Sequence, residues 1–187
     1  MKKLVVMFPG VGYTMDFPLL YYASFLYEAK GYEQIHMKYN SIFFEPDLTR
    51  EEKSLRVRDY VWEKVKEIDF SVYDEVVFLS KSVGTIEAGF LAEKMGIDPV
   101  QIYLTPVPDA LPYVKEKDTV VMGTADEVYP ACREYCEEHG IKPLYIDGAN
   151  HSLEVEGKPF ESLEILKDVM RYIERQSMCE NSTGCIN

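Results

Sequence analysis

The chain has 187 residues, with 20 Lys and Arg against 32 Asp and Glu, and a formal net charge of −12. That length suits one domain with a single core, and a composition 47% hydrophobic and 13% aromatic argues against general disorder. A surface this acidic repels phosphate backbones and anionic headgroups, so neither a nucleic acid nor a membrane is expected as partner, and polyanions are poor substrates.

Met1-Lys2-Lys3 leads into an apolar run that breaks at Pro9-Gly10, too short for a secretion signal. No stretch approaches the ~18 apolar residues of a membrane span, and a cytoplasmic location is expected. From there, short apolar strands alternate with segments of helical period, the mark of a mainly parallel α/β sheet. The strands are Leu4 to Phe8, Gln34 to Tyr39, Glu75 to Leu79, Val100 to Leu104, Thr119 to Met122 and Lys142 to Ile146. Several are rich in Val, Ile and Tyr, as strands covered on both faces should be. Helices fit Pro18 to Lys30, Thr49 to Ile68, Val83 to Met95, Pro130 to His139 and Pro159 to Gln176. In the second, Leu55, Tyr60, Val61, Val65 and Ile68 form the stripe expected to lie on the sheet. Gly31, Gly96 and Gly140 stand where helices should stop in left-handed caps. Residues 1–176 are read as one domain and 177–187 as a polar, frayed tail. Cys132, Cys136, Cys179 and Cys185 are too few and too clustered for a disulfide framework. The Asn181-Ser182-Thr183 triplet is a chance glycosylation match without a secretion signal.

Three loops carry chemistry. The strand ending at Leu79 runs into Ser80-Lys81-Ser82-Val83-Gly84 and at once into a helix. A strand, a sharp turn with serine at its apex and a helix make a nucleophile elbow, with small residues two before and two after the serine. Gly84 meets that need, and Ser80 replaces the usual first Gly. The same residues also suit a plain helix N-cap. The strand ending at Met122 leads into Gly123-Thr124-Ala125-Asp126-Glu127, and the last strand leads into Asp147-Gly148-Ala149-Asn150-His151. In a parallel sheet all three loops leave at the same edge. Ser82, Asp126 and His151 can therefore meet although distant in sequence, in the order serine, acid, histidine.

On these residues the chain resembles the α/β-hydrolase superfamily, in particular its small, lidless members similar to dienelactone hydrolases and esterases. The resemblance covers about residues 4 to 176. Its best-matching pieces are GTADEVYP and GANHSLE, similar to the family's Gly-x-x-Asp-x-x-Val/Pro stretch and Gly-x-x-His loop. It implies a three-layer sandwich whose six-stranded, mainly parallel sheet has the order 2-1-3-4-5-6, without the superfamily's first two strands and without a cap domain. It further implies Ser82 as nucleophile, Asp126 as the acid and His151 as general base, with the backbone N–H groups of Val11 and Val83 as oxyanion donors. Gly10 and Gly12 would let that backbone approach substrate closely. A dinucleotide site at Gly10-Val11-Gly12 fails, because Met15 stands where the third Gly should be and the second strand ends Tyr39-Asn40 without a ribose-binding acid.

Other residues take plainer readings. Lys81 invites a Ser-Lys mechanism, but neighbours on a sharp elbow point apart, so it is read as solvated or as a support for the site. Cys132, Cys136 and His139 share a helix face and suit a soft metal, yet a face of small hydrophobes is the simpler account and no metal is expected. Glu127 reads as an exposed first-turn charge, and His36 as a core or sheet-face histidine. Pro106, Pro108 and Pro112 stiffen the segment Thr105 to Lys117, too short for a lid. Tyr13, Phe17, Tyr21, Tyr22 and Tyr129 are expected to ring Ser82, with Gly10, Gly12, Tyr13 and Tyr129 lining a shallow pocket, although the helical Tyr21 and Tyr22 equally suit packing on the sheet. The expected activity is cofactor-free hydrolysis of a small, neutral carboxylic ester or thioester through an acyl-enzyme. Acyl transfer by the same residues, or a silent binding scaffold, are the alternatives.

Overall fold

The computed structural model describes residues 1–176; the expected tail, with Cys179, Cys185 and the Asn181 triplet, lies outside the described residues. Six strands form one sheet: β1 (Lys3–Phe8), β2 (Glu33–His36), β3 (Glu75–Lys81), β4 (Val100–Leu104), β5 (Thr119–Gly123) and β6 (Leu144–Ile146). Their spatial order is β2-β1-β3-β4-β5-β6, and every neighbouring pair is parallel. The helices are α1 (Pro18–Ala29), α2 (Asn40–Phe43), α3 (Arg50–Val65), α4 (Gly84–Met95), α5 (Tyr129–Glu138) and α6 (Pro159–Gln176).

The central strands are apolar on both faces because both faces are covered. Val5 and Met7 of β1 pack with Leu19, Leu20, Val169 and Ile173 of α1 and α6. On the other face Leu4, Val6 and Phe8 meet Val57, Val61 and Val65 of α3 and Ala88 and Leu91 of α4. Complete burial of one such side chain contributes ~1.5–3 kcal/mol, so the sandwich has no spare face. Under α5, Cys132 and Cys136 pack with Tyr103, Val120 and Met122. The cysteines thus fill a hydrophobic layer, and among the described residues no group of three or more His, Cys, Asp or Glu is arranged to hold a metal ion. His139 instead stacks on Tyr135 at 3.9 Å.

Local signals explain most boundaries. Thr49 caps α3 through a reciprocal box, its Oγ1 accepting from the Glu52 N–H at 3.2 Å while Glu52 Oε2 accepts from the Thr49 N–H at 2.8 Å. Gly96 ends α4 at φ 64°, its N–H returning to the carbonyls of Ala92 and Glu93. Two expectations need correction. Leu55 is 62% exposed, whereas Val57, Val61 and Val65 are buried; Leu55 lies about 200° around the helix from Val57 and cannot share its face. The second strand stops at His36 rather than Tyr39 because the chain turns there into α2. Among the described residues no helix is long and apolar enough to cross a membrane.

The topology decides where a ligand can sit. From β1 the chain moves to one side to make β2, then crosses to the other side for β3. At such a switch point the loops leaving β1 and β3 diverge and open a crevice beyond the carboxyl ends of the strands.

Candidate active site

At that crevice β3 ends in Lys81 and α4 begins at Gly84, leaving Ser82 and Val83 to make the turn. Ser82 has φ 55°, a left-handed conformation rare for a residue with a side chain. Its surroundings impose it. The Ser82 N–H donates to Leu104 O at 3.1 Å, and Thr85 Oγ1 donates to Ser82 O at 2.5 Å. A Cβ on Gly84 would lie 2.4 Å from Phe8 O and 2.6 Å from Pro9 O, so only glycine lets α4 start this close to β1. Ser80, the departure from the usual elbow, is fully buried and its Oγ donates to Ile102 O at 3.1 Å. The serine is accommodated by bonding into β4.

The loops after β5 and β6 meet beside this turn. A Cβ on Gly123 would lie 2.1 Å from Ala149 O, and the Ala125 N–H donates to that same oxygen at 2.9 Å. Asn150 Oδ1 accepts from the N–H groups of Ser152 and Glu154, folding the second loop back on itself. The result is a continuous chain of contacts. Ser82 Oγ lies 2.8 Å from His151 Nε2, and His151 Nδ1 lies 2.6 Å from Asp126 Oδ2. Burial alone would raise the Asp126 carboxyl, but hydrogen bonds from His151 and the Val128 N–H, with the charges of His151 and Lys81, hold it below its ordinary value. An ionised carboxylate only accepts, so Nδ1 carries the proton and Nε2 is left to accept from Ser82. Glu127 takes no part in this chain.

The loop after β1 closes the crevice. A Cβ on Gly10 would lie 2.9 Å from Ser82 Cβ, so glycine is required there by the approach of the loop to the serine. Gly12 has φ 68°, which serves the turn rather than the approach. Asn40 braces the loop from α2: its Nδ2 donates to Gly10 O at 3.0 Å and its Oδ1 accepts from the Gly12 N–H at 2.8 Å. Tyr39 OH adds a bond to Pro9 O at 2.7 Å. Among the described residues the N–H groups of Val11 and Val83 donate no hydrogen bond. Sequence reasoning missed Asn40, whose only signal is a polar amide directly after the predicted second strand, Gln34 to Tyr39.

Two open hollows flank His151. One, of about 480 Å³, is lined by Asp126, His151 and Val107 among others. The other, of about 540 Å³, is lined by Tyr13, Leu19, Leu153 and Leu166, with Glu154 and Glu156 at its edge. They share Asn150 and Ser152. Tyr13 lines the larger hollow, and Phe17 stacks on it at 4.8 Å. Tyr129 does not: it packs edge-on against Tyr145 at 5.5 Å and borders neither hollow, because α5 turns it toward the layer beneath. Gly10 and Gly12 shape the loop without lining a hollow. Tyr21 and Tyr22 are 44% and 52% exposed on α1. Of the two readings of Lys81, the solvated one is corrected. It is 1% exposed, not solvated, and burial brings its ammonium down to about 7 despite the opposing charge of Asp126.

The backbone path is shared with solved structures. A dienelactone hydrolase from Anabaena variabilis is 17% identical, with a TM-score of 0.63 over 95% of this chain and 86% of that one. Est1E from Butyrivibrio proteoclasticus is 14% identical, with a TM-score of 0.62 over 94% of this chain and 88% of that one. The chain has the α/β-hydrolase fold. A putative α/β hydrolase of unknown function from Agrobacterium tumefaciens matches this fold at 14% identity and a TM-score of 0.60, over 94% of this chain and 85% of that one. Est1E has also been solved with ferulic acid bound. No family model and no curated protein matches the sequence. The six-stranded α/β-hydrolase order 2-1-3-4-5-6 expected from the sequence is the order observed.

Proposed function

We propose that the chain is a serine hydrolase acting on a small, neutral carboxylic ester or thioester. The observation that carries this reading is the contact chain from Ser82 Oγ through His151 to Asp126 at the switch point of a parallel sheet. In the first half-reaction His151 Nε2 takes the Ser82 proton as Oγ attacks the substrate carbonyl carbon. The N–H groups of Val11 and Val83 receive the developing oxyanion, each such donor worth ~3–4 kcal/mol. The tetrahedral adduct collapses, the C–O or C–S bond to the leaving group breaks, and His151 returns its proton to that group. Water, deprotonated by the same nitrogen, then attacks the acyl-Ser82 ester and frees the acid. Asp126 holds the tautomer and offsets the charge on the imidazolium. No cofactor enters.

Fold relatives that include a dienelactone hydrolase support a hydrolytic reaction, and ferulic acid on Est1E makes a flat aromatic acyl group a substrate to try first. Glu154 and Glu156 beside the larger hollow favour neutral over anionic substrates. The test is labelling with a fluorophosphonate, followed by peptide mapping and hydrolysis of a chain-length series of p-nitrophenyl esters with and without alcohol or amine acceptors. Covalent modification at Ser82, absent in Ser82→Ala, with release of the free acid, is the expected result. A folded protein that never labels is a binding scaffold, and acyl product on the acceptor alone makes it a transferase.

A further inference from the structure

Lys81 stands one residue before Ser82, yet nothing in the reaction above uses it. Among the described residues it is the only buried lysine, and its surroundings are specific. The ammonium donates to Thr105 Oγ1 at 2.5 Å, in the loop after β4, and to the peptide oxygen of His151 at 2.6 Å, in the loop after β6. It also lies 5.0 Å from the centre of the Tyr13 ring, in the loop after β1. One buried side chain thus joins the three loops that surround the serine.

The backbone provides a second observation. Among the described residues, only Ser82, Thr105 and Leu153 have positive φ without being glycine, at 55°, 45° and 59°. Thr105 is β-branched, for which this conformation is a genuine outlier that persists only where the surrounding structure holds it. All three sit on this constellation: the serine itself, the hydroxyl partner of Lys81, and the loop carrying His151. Strain kept at Thr105 aims Oγ1 at the ammonium, which in turn holds the His151 peptide.

We propose that Lys81 is a positioning residue for the imidazole: its Nζ ties the His151 carbonyl to Thr105 and so fixes the reach of the ring to Ser82. The groups facing Nζ are Asp126 from the β5 loop, His151 from the β6 loop and Tyr13 from the β1 loop, with Glu154 acting on Tyr13. Asp126 orients the ring through Nδ1, and Lys81 holds the peptide that carries it. The proposal rests on the serine-hydrolase reading.

The test compares wild type, Lys81→Met, Thr105→Val and Thr105→Ser in the full chain. On p-nitrophenyl acetate, Lys81→Met should lower kcat by ~10-fold or more, as expected for a misplaced base, with KM within about twofold. Thr105→Val should lower kcat in the same way, and Thr105→Ser, which keeps the hydroxyl, should restore it. A role in packing alone would follow side-chain volume instead, so that Thr105→Val would keep the wild-type kcat and Thr105→Ser would lose it. A folded Lys81→Met protein with wild-type kcat overturns the proposal; if that variant does not fold, wild-type kcat in Thr105→Val overturns it. Absence of fluorophosphonate labelling in the wild type defeats the hydrolase reading and the proposal with it, whereas a labelled wild type with unimpaired variants defeats the proposal alone.

Discussion

A buried lysine should make stability depend on pH in a direction that can be worked out. Burial brings Lys81 from its ordinary 10.5 to about 7, so between those values the unfolded chain binds the proton that the folded chain has lost. Stability therefore rises with pH across that window, and below pH 7 the folded state bears the full cost of holding the charge. Raising the pH from 7 to 9 relieves two units at ~1.36 kcal/mol each, or about 2.7 kcal/mol, part of a total of about 5 kcal/mol. Lys81→Met fills nearly the same volume and removes the titration. It leaves Thr105 Oγ1 and His151 O without a donor, at ~1–3 kcal/mol each, at any pH, so that cost cancels in a comparison between pH values. Urea unfolding at pH 6 and pH 9 should show the variant gaining on the wild type by ~3 kcal/mol more at pH 6 than at pH 9. Equal differences at the two pH values would refute the argument, and with it the view that Lys81 is folded into a dry site at a cost.

Other perturbations address the rest of the site. Asp126→Asn should lower kcat/KM toward esters by ~10⁴, because the imidazole is left in the wrong tautomer, whereas Glu127→Gln should cost little; the reverse ranking would assign the acid to Glu127. Asn40→Ala removes both braces on the β1 loop, and should reduce kcat more than KM while costing ~1–3 kcal/mol in thermal unfolding. Gly84→Ala drives a methyl group into Phe8 O and Pro9 O, so circular dichroism should show a fall in melting temperature well beyond that of Ser82→Ala.

The chain order of strands and the placement of Ser82, Asp126 and His151 directly after strand ends were legible because hydrophobic period and turn chemistry are local signals. What was not legible depends on contacts between distant loops. Nothing in Ser80-Lys81-Ser82 announces that the loops after β4 and β6 curl over the strand end and shut Lys81 away from water. Asn40 acts on Gly10 and Gly12 across 28 to 30 residues of sequence, through a turn into α2 that the apolar run ending at Tyr39 disguises. Tyr129 lies at the expected strand end, but its direction is set by the packing of α5 against Tyr145. Leu55 misled because its neighbours Val57, Val61 and Val65 already complete the face.

The contacts from Ser82 and Lys81 to His151 span 69 and 70 residues of chain, and that from His151 to Asp126 spans 25. Such a constellation cannot exist in any fragment that lacks β5 or β6, and parallel pairings of this separation form late and slowly because loop closure precedes their reward. In refolding, burial of Trp62 on α3 against the early half of the sheet should therefore run ahead of reactivity at Ser82. Attack by the serine then becomes a chemical clock for the arrival of the C-terminal half of the chain.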